Sequence, residues 1–160
     1  MTTLLVHEEA RLIDVGTAVD LLARAVKDRG DDFACNPVVD PSHRQHGYVY
    51  AFDGKPECIV GHALALACVD VAQLEAMRDH RLRDLYRDGR LPVRLSLGAL
   101  IALDAAQQSQ DRGRSWGTAL DDATAAAARY LDLVAVVPEV THYLDRCAKR
   151  CRFLDNTAKE

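Results

Sequence analysis

The sequence predicts a mainly α protein: a single-domain helical bundle over residues 1–160, carrying one small β-hairpin or ribbon at about residues 33–55. Three observations predict it. Apolar residues recur at spacings of three and four through most of the chain, the signature of helices with one face turned inward. Residues that cap or stop helices punctuate those runs: Asp14, Gly30, Asp70, Gly89, Ser96 and Ser115. One run alone is strongly β-like, Tyr48-Val49-Tyr50-Ala51-Phe52, and Asp53-Gly54 turns the chain directly after it. At 160 residues, 49% hydrophobic and 28% charged, the chain can bury a core without disulfides or metals.

Residues 4–6 (Leu-Leu-Val) read as a short strand or an ordered arm. A first helix follows over residues 14–29, with Val15, Val19, Leu22 and Val26 on one face, Asp14 or Thr17 at its start and Gly30 at its end. Asn36-Pro37, Asp40-Pro41 and Gly47 break any helical period over residues 31–47, so that stretch is irregular. After the hairpin, Pro56 suits the first turn of a helix running to about residue 69. Asp70 caps a further piece through Met77, and residues 78–90 form an exposed helix or a loop. Ser96 caps a helix with Leu97, Leu100, Ile101 and Leu103 that extends to about residue 110. Ser115 caps another that passes through the alanine-rich stretch to about residue 130. Pro138 opens or kinks a last helix to about residue 154. No internal repeat, low-complexity linker or shift in composition divides the chain.

The net charge of −4 gives no whole-molecule reason to expect a polyanionic partner. The cysteines, Cys35, Cys58, Cys68, Cys147 and Cys151, are odd in number, and no signal peptide is legible ahead of them. Reduced thiols in a cytoplasm are the expectation. The longest nearly apolar runs, 58–69 and 131–138, are too short to span a membrane. Sixteen arginines stand against four lysines, which fits a GC-rich genome and warns against assigning a ligand to each arginine.

Four constellations carry possible chemistry, each with a plainer alternative. Cys58, in the first turn of a helix that starts at Pro56, would lie where unpaired N–H groups favour a thiolate. His62, four residues on, shares its face and offers a base, the start of a cysteine-dependent enzyme. The plainer reading packs Cys58 under the strand, with Gly61 admitting a close neighbour, and is preferred because free cysteine is among the most buried residue types. Cys35, His43, His46 and Cys58 are competent zinc ligands, but their spacing matches no zinc pattern; no metal and no cofactor is expected. Arg78, Arg81, Arg83, Arg87, Arg90 and Arg94 are interrupted by Asp79, Asp84 and Asp88, as on a solvated face with local ion pairs. Asp121 and Asp122 in the helix after Ser115 would meet phosphates badly, so nucleic acid is not expected either. Trp116, the lone tryptophan, could line a binding pocket; the plainer reading, that it staples the start of that helix to the core, is preferred. Lastly, Val140, Leu144, Cys147, Cys151 and Leu154 alternate by four and three, a narrow seam of 3.5-residue period. Polar Asp145, Arg146, Lys149, Arg150 and Arg152 flank it, as on a helix that projects partly from the body for assembly; the plainer alternative docks the seam on the protein's own bundle.

Two stretches carry a resemblance. Pro-Glu-Cys-Ile-Val-Gly-His-Ala-Leu at 56–64 and Ala-Gln-Gln-Ser-Gln-Asp-Arg-Gly-Arg-Ser-Trp-Gly-Thr-Ala-Leu at 106–120 are similar to small uncharacterised proteins of actinobacteria and their bacteriophages. The resemblance implies a related fold and a phage or actinobacterial setting, and assigns no catalytic residue. The function expected is accordingly that of a non-enzymatic binding protein, phage-encoded and acting in the host cytoplasm. It would engage a host protein, associate with itself through the 140–154 seam, or both. The alternative is the small enzyme using Cys58 and His62.

Overall fold

The computed structural model describes residues 12–34 and 48–136. In chain order these form β1 (Leu12–Ile13), α1 (Val15–Arg29), β2 (Ala51–Phe52), β3 (Lys55–Pro56), α2 (Ile59–Leu66), α3 (Val71–Ala76), α4 (Leu82–Arg87), β4 (Arg94–Leu95), α5 (Leu97–Asp111) and α6 (Trp116–Val136). The class is mainly α with a small β element, as the sequence predicts. Residues 4–6 and the helix expected from Pro138 onward lie outside the described residues.

Asp14 starts α1 by accepting the Thr17 N–H at 2.7 Å, and Gly30 ends it with φ +99, a value open to glycine. The face that α1 buries holds Ala18, Leu21, Leu22, Ala25 and Val26, whereas Val15 and Val19 are only partly buried. The stripe is therefore rotated from the one the large apolar residues mark, because two alanines contribute to it.

The hairpin pairs Ala51 with Pro56 and Phe52 with Lys55. Asp53 (φ +49) and Gly54 (φ +72) both take left-handed angles, the requirement of the tight turn whose twist matches that of the strands. Strand β2 is shorter than the β-like run 48–52, since the Tyr48 carbonyl instead accepts the Asp79 N–H at 2.9 Å. Pro56 lies in β3 rather than in a helix; at a hairpin edge its missing N–H leaves no ladder bond unmade. The N-cap position passes to Cys58 and α2 begins at Ile59.

The end of α2 also departs from expectation, at Leu66 instead of about residue 69. Cys68 adopts φ +67, its N–H bonds to the Ala65 carbonyl and the Val69 N–H bonds to Leu64. These crossed bonds form a helix stop that ordinarily carries glycine at the left-handed position. Gly89 after α4 and Gly113 after α5 occupy the same position in the same pair of bonds, so those two ends were legible. The arginine-rich stretch 78–90 contains α4, which buries Leu82 and Leu85. Helix α6 runs six residues past the expected residue 130, through apolar Leu131, Leu133 and Val136.

A parallel pair, Leu12 with Arg94 and Ile13 with Leu95, sets the starts of α1 and α5 side by side. Pairing between segments so distant in sequence, each two residues long, leaves no local signal. Helix α5 then runs through the centre of the core, packed on α1, α2, α4 and α6. It is buried on most sides, by Ala99, Leu100, Ala102, Leu103 and Ala106 among others. Small residues make this close approach possible: a Cβ at Gly98 would sit 2.6 Å from the Tyr130 ring and 2.9 Å from Val15 Cβ.

Candidate functional site

The two sequence stretches that carry the resemblance meet at the start of α2. An α-helix leaves its first N–H groups without partners inside the helix. In α2 they are met from two directions: Cys58 Sγ accepts the Gly61 N–H at 3.2 Å, and Gln110 Oε1, reaching across from α5, accepts the Ile59 N–H at 2.8 Å. Cys58 is 3% exposed and Gln110 9%. Cys58 is thus an N-cap in the core, not a member of the helix's first turn.

Tyr50 closes the other side. Its hydroxyl donates to the His80 carbonyl at 2.9 Å and lies 3.2 Å from Gln107 Oε1. A phenol has one proton, so both contacts are satisfied when the Gln107 amide is turned to present its NH₂. Burial raises the phenol far above its ordinary range and keeps it neutral. The Tyr50 backbone carbonyl, which accepts the Glu57 N–H at 3.0 Å, lies where a Cβ at Gly61 would have to stand. The close neighbour expected of Gly61 is therefore a peptide group.

His62 faces away from this knot. Its Nε2 lies 3.0 Å from an Arg29 guanidinium nitrogen, which can only donate, so the imidazole accepts there in its neutral form. Burial first, then the Arg29 charge, lower the His62 pKa, while a hydrogen bond to the Pro56 carbonyl pulls the other way. Arg29 and the Pro56 carbonyl are thus both polar partners of the ring. The ring also meets Trp116 edge-on, with centroids 5.1 Å apart, and Phe33 meets the same indole at 4.9 Å. Trp116 is fully buried, and its Nε1–H has no acceptor among the described residues. The first backbone N–H groups of α6 are filled, by the Phe33 carbonyl to Trp116 and the Asp31 carbonyl to Gly117, both at 2.8 Å. Trp116 does anchor the helix start, through the segment that follows α1.

The remaining sequence candidates divide. Cys35, His43 and His46 lie outside the described residues, as do Val140, Leu144, Cys147, Cys151 and Leu154. Among the described residues no group of three or more His, Cys, Asp or Glu is gathered as a metal would require. Of the arginines, Arg87 pairs with Asp84 at 3.2 Å and Asp88 at 2.9 Å, and Arg114 of the following turn with Asp122 at 3.0 Å. Arg78 and Arg81 lie over the rings of Phe52 and Tyr48. No helix among the described residues is long and apolar enough to cross a membrane.

Sequence reasoning missed Gln107, Gln110 and Asp111. The signal available was polar Gln107 and Gln110, three apart, on the face of α5 that also carries Leu103. Removing the acceptor isolates its effect: Gln110→Leu strands the Ile59 N–H and is expected to cost about 1–3 kcal/mol in chemical denaturation. A change near zero would show that the α2 start is satisfied in some other way.

Asp111 behaves differently. Burial of its carboxyl, then the Asp104 carboxylate on the same helix, push its pKa up to about 6 against the pull of Arg81. A folded-state value above the ordinary 3.8 means the native protein holds this proton more tightly than the unfolded chain. Stability is therefore lost as pH rises through the interval between those values and is level above it. Asp111→Asn is expected to raise the melting temperature at neutral pH and leave it unchanged near pH 4, at the ordinary carboxyl value. The residue as a whole is exposed, so solvent trims the gain. An equal gain at both pH values would point to something other than titration.

Comparison with protein-family models, with curated proteins and with solved structures finds no match to this chain. The fold and the knot around α2 define a mainly helical protein with a small β element.

Proposed function

We propose that this chain is a non-enzymatic binding protein acting through protein–protein contacts, with a protein of the host cell, with itself, or with both. In the phage setting that the resemblance implies, it would work in the host cytoplasm. The observation that carries this reading is the exposed apolar end of α6, where Leu131, Leu133 and Val136 are 51%, 53% and 79% exposed. Leu133 and Val136, three apart, share one side of the helix, and neighbouring exposed apolar groups are a common mark of a contact surface.

The enzymatic alternative draws on Cys58 and His62, and their surroundings favour it less. The thiol is almost wholly buried and employed as an N-cap, and the imidazole is engaged by Arg29 and Pro56. A catalytic thiol must be reachable and partly ionised near neutral pH. In the native chain Cys68, which is exposed, should react with a thiol reagent while Cys58 stays protected until unfolding. Peptide mapping after brief labelling separates the two. Rapid native labelling of Cys58, together with loss of biological effect in a folded Cys58→Ser variant, would favour the enzyme. The partner itself is sought by affinity capture from host lysate with mass spectrometry.

A further inference from the structure

Four side chains from separate parts of the chain close a ring at one corner of the bundle. The Arg29 guanidinium, on the last residue of α1, lies 3.0 Å from His62 Nε2 on α2. The imidazole meets the Trp116 indole at the start of α6, and the indole meets Phe33. Phe33 closes the ring, with the Arg29 guanidinium over its face at 5.3 Å. The segment that carries Phe33 also fills the first N–H groups of α6, through the Asp31 and Phe33 carbonyls. A movement of Arg29 or His62 therefore reaches the start of α6.

One link of this ring depends on a proton. A guanidinium has N–H donors and no acceptor, so the contact exists only while Nε2 keeps its lone pair. An imidazolium has donors alone, and would set a second positive charge 3.0 Å from the first. Among the described residues, the charged groups that act on the ring are Arg29 and, more weakly, Asp28, both of α1. From β3 the neighbour is the Pro56 carbonyl, and from α6 the uncharged indole. Asp28 and the Pro56 carbonyl favour the imidazolium, but burial and the Arg29 charge outweigh them. The two partners also differ in what holds them. His62 is half-buried between the indole and Pro56, whereas Arg29 is exposed and rests otherwise on the Phe33 ring. When the imidazole takes a proton, it is Arg29 that can swing into solvent.

We propose that Arg29 and His62 form a proton-operated latch that ties the end of α1 to α2 at neutral pH and opens in acid. The direction follows from linkage. The native ring holds its proton less tightly than an unfolded one, whose ordinary value is 6.5. The latch therefore contributes fully above that value and is lost as pH falls below it. Asp111 titrates with the opposite sign and in different surroundings, beside Asp104 and Arg81, so the two are separable. The latch operates whether or not the chain binds a partner.

A titration of the native protein from neutral to mildly acidic pH tests it, followed by the His62 ring resonances, the Arg29 side-chain N–H signals and Trp116 fluorescence. The ring should titrate below 6.5. The fluorescence should fall with the same midpoint, because an imidazolium quenches an adjoining indole far more than a neutral imidazole does. The Arg29 signals should broaden at that midpoint as the guanidinium enters solvent. Helical circular dichroism should hold throughout, since one exposed side chain moves and no helix melts. Arg29→Gln, which keeps a donor without the charge, should bring the midpoint up towards 6.5. His62→Gln should abolish the fluorescence step, whereas Asp111→Asn should leave it in place. A ring that titrates at 6.5 or above, or at the same midpoint in Arg29→Gln, overturns the latch. So do Arg29 signals or a fluorescence that stay level while the ring titrates, and so does a loss of helical dichroism over the same interval.

Discussion

Gly61→Ala is expected to destabilise the protein by about 3 kcal/mol or more, although alanine is the better helix former. Propensity alone favours alanine over glycine inside a helix by about 1 kcal/mol. The opposing effect is larger. The new Cβ would overlap the Tyr50 carbonyl, with the carbonyl carbon also only 2.8 Å away. Overpacking against a side chain costs about 1–3 kcal/mol because the neighbour can shift. Here the neighbour is a peptide group held on several sides. Its oxygen accepts the Glu57 N–H, the Tyr50 ring is fully buried, and its hydroxyl is tied to His80 and Gln107. Moving it would disturb the hairpin and the turn before α4 together. Urea denaturation should show a lower midpoint with little change in slope. A variant as stable as wild type, or more stable, would mean that α2 slides away from Tyr50 at no expense.

The second large effect is expected at Trp116. Truncation to alanine should cost about 3–5 kcal/mol, a large share of the 5–15 kcal/mol typical of a domain. The indole is fully buried and supports three elements at once, its own helix α6, the Phe33 segment after α1, and His62 of α2. Trp116→Phe should cost less than half as much. The Nε1–H has no acceptor among the described residues, so deleting it forfeits no hydrogen bond there and removes a buried donor that is itself unfavourable. As this is the lone tryptophan, its fluorescence reports directly on the site: emission should be blue-shifted in the native state and move to the red on unfolding. A native spectrum like that of free indole in water would contradict its burial. A Trp116→Phe penalty equal to that of alanine would mean the N–H is hydrogen-bonded after all.

Much of the fold was legible in the sequence because much of it is local. Asp14, Asp70 and Ser96 cap helices through bonds to residues two or three ahead, and Asp-Gly turns a hairpin by its own backbone preferences. Gly30, Gly89 and Gly113 take the positive φ that ends a helix without strain. Such effects act within a few residues, so a linear reading recovers them. Among the element ends, that reading failed where two local preferences competed or where a turn lacked the residue that usually marks it. Pro56 fits a helix's first turn and a hairpin edge equally well, and the Asp53-Gly54 turn decided for the edge. Cys68 stops α2 with crossed hydrogen bonds that most sequences mark with glycine.

The candidate site was half legible. Cys58, Gly61, His62 and Trp116 stood out by residue type, but their roles depend on who faces them. Cys58 and His62 share a helix in sequence, yet the thiol serves the α2 start while the imidazole turns to Arg29 and Trp116. Gln110 showed in the sequence only as a polar residue in phase with Leu103; nothing local names its partner, an N–H fifty-one residues away. The sequence by itself determined where helices begin and end and that their faces are apolar, since capping and periodicity are short-range. Only the tertiary structure decided which polar groups enter the core, because burial makes an unpaired N–H expensive and any acceptor that packing brings close will serve.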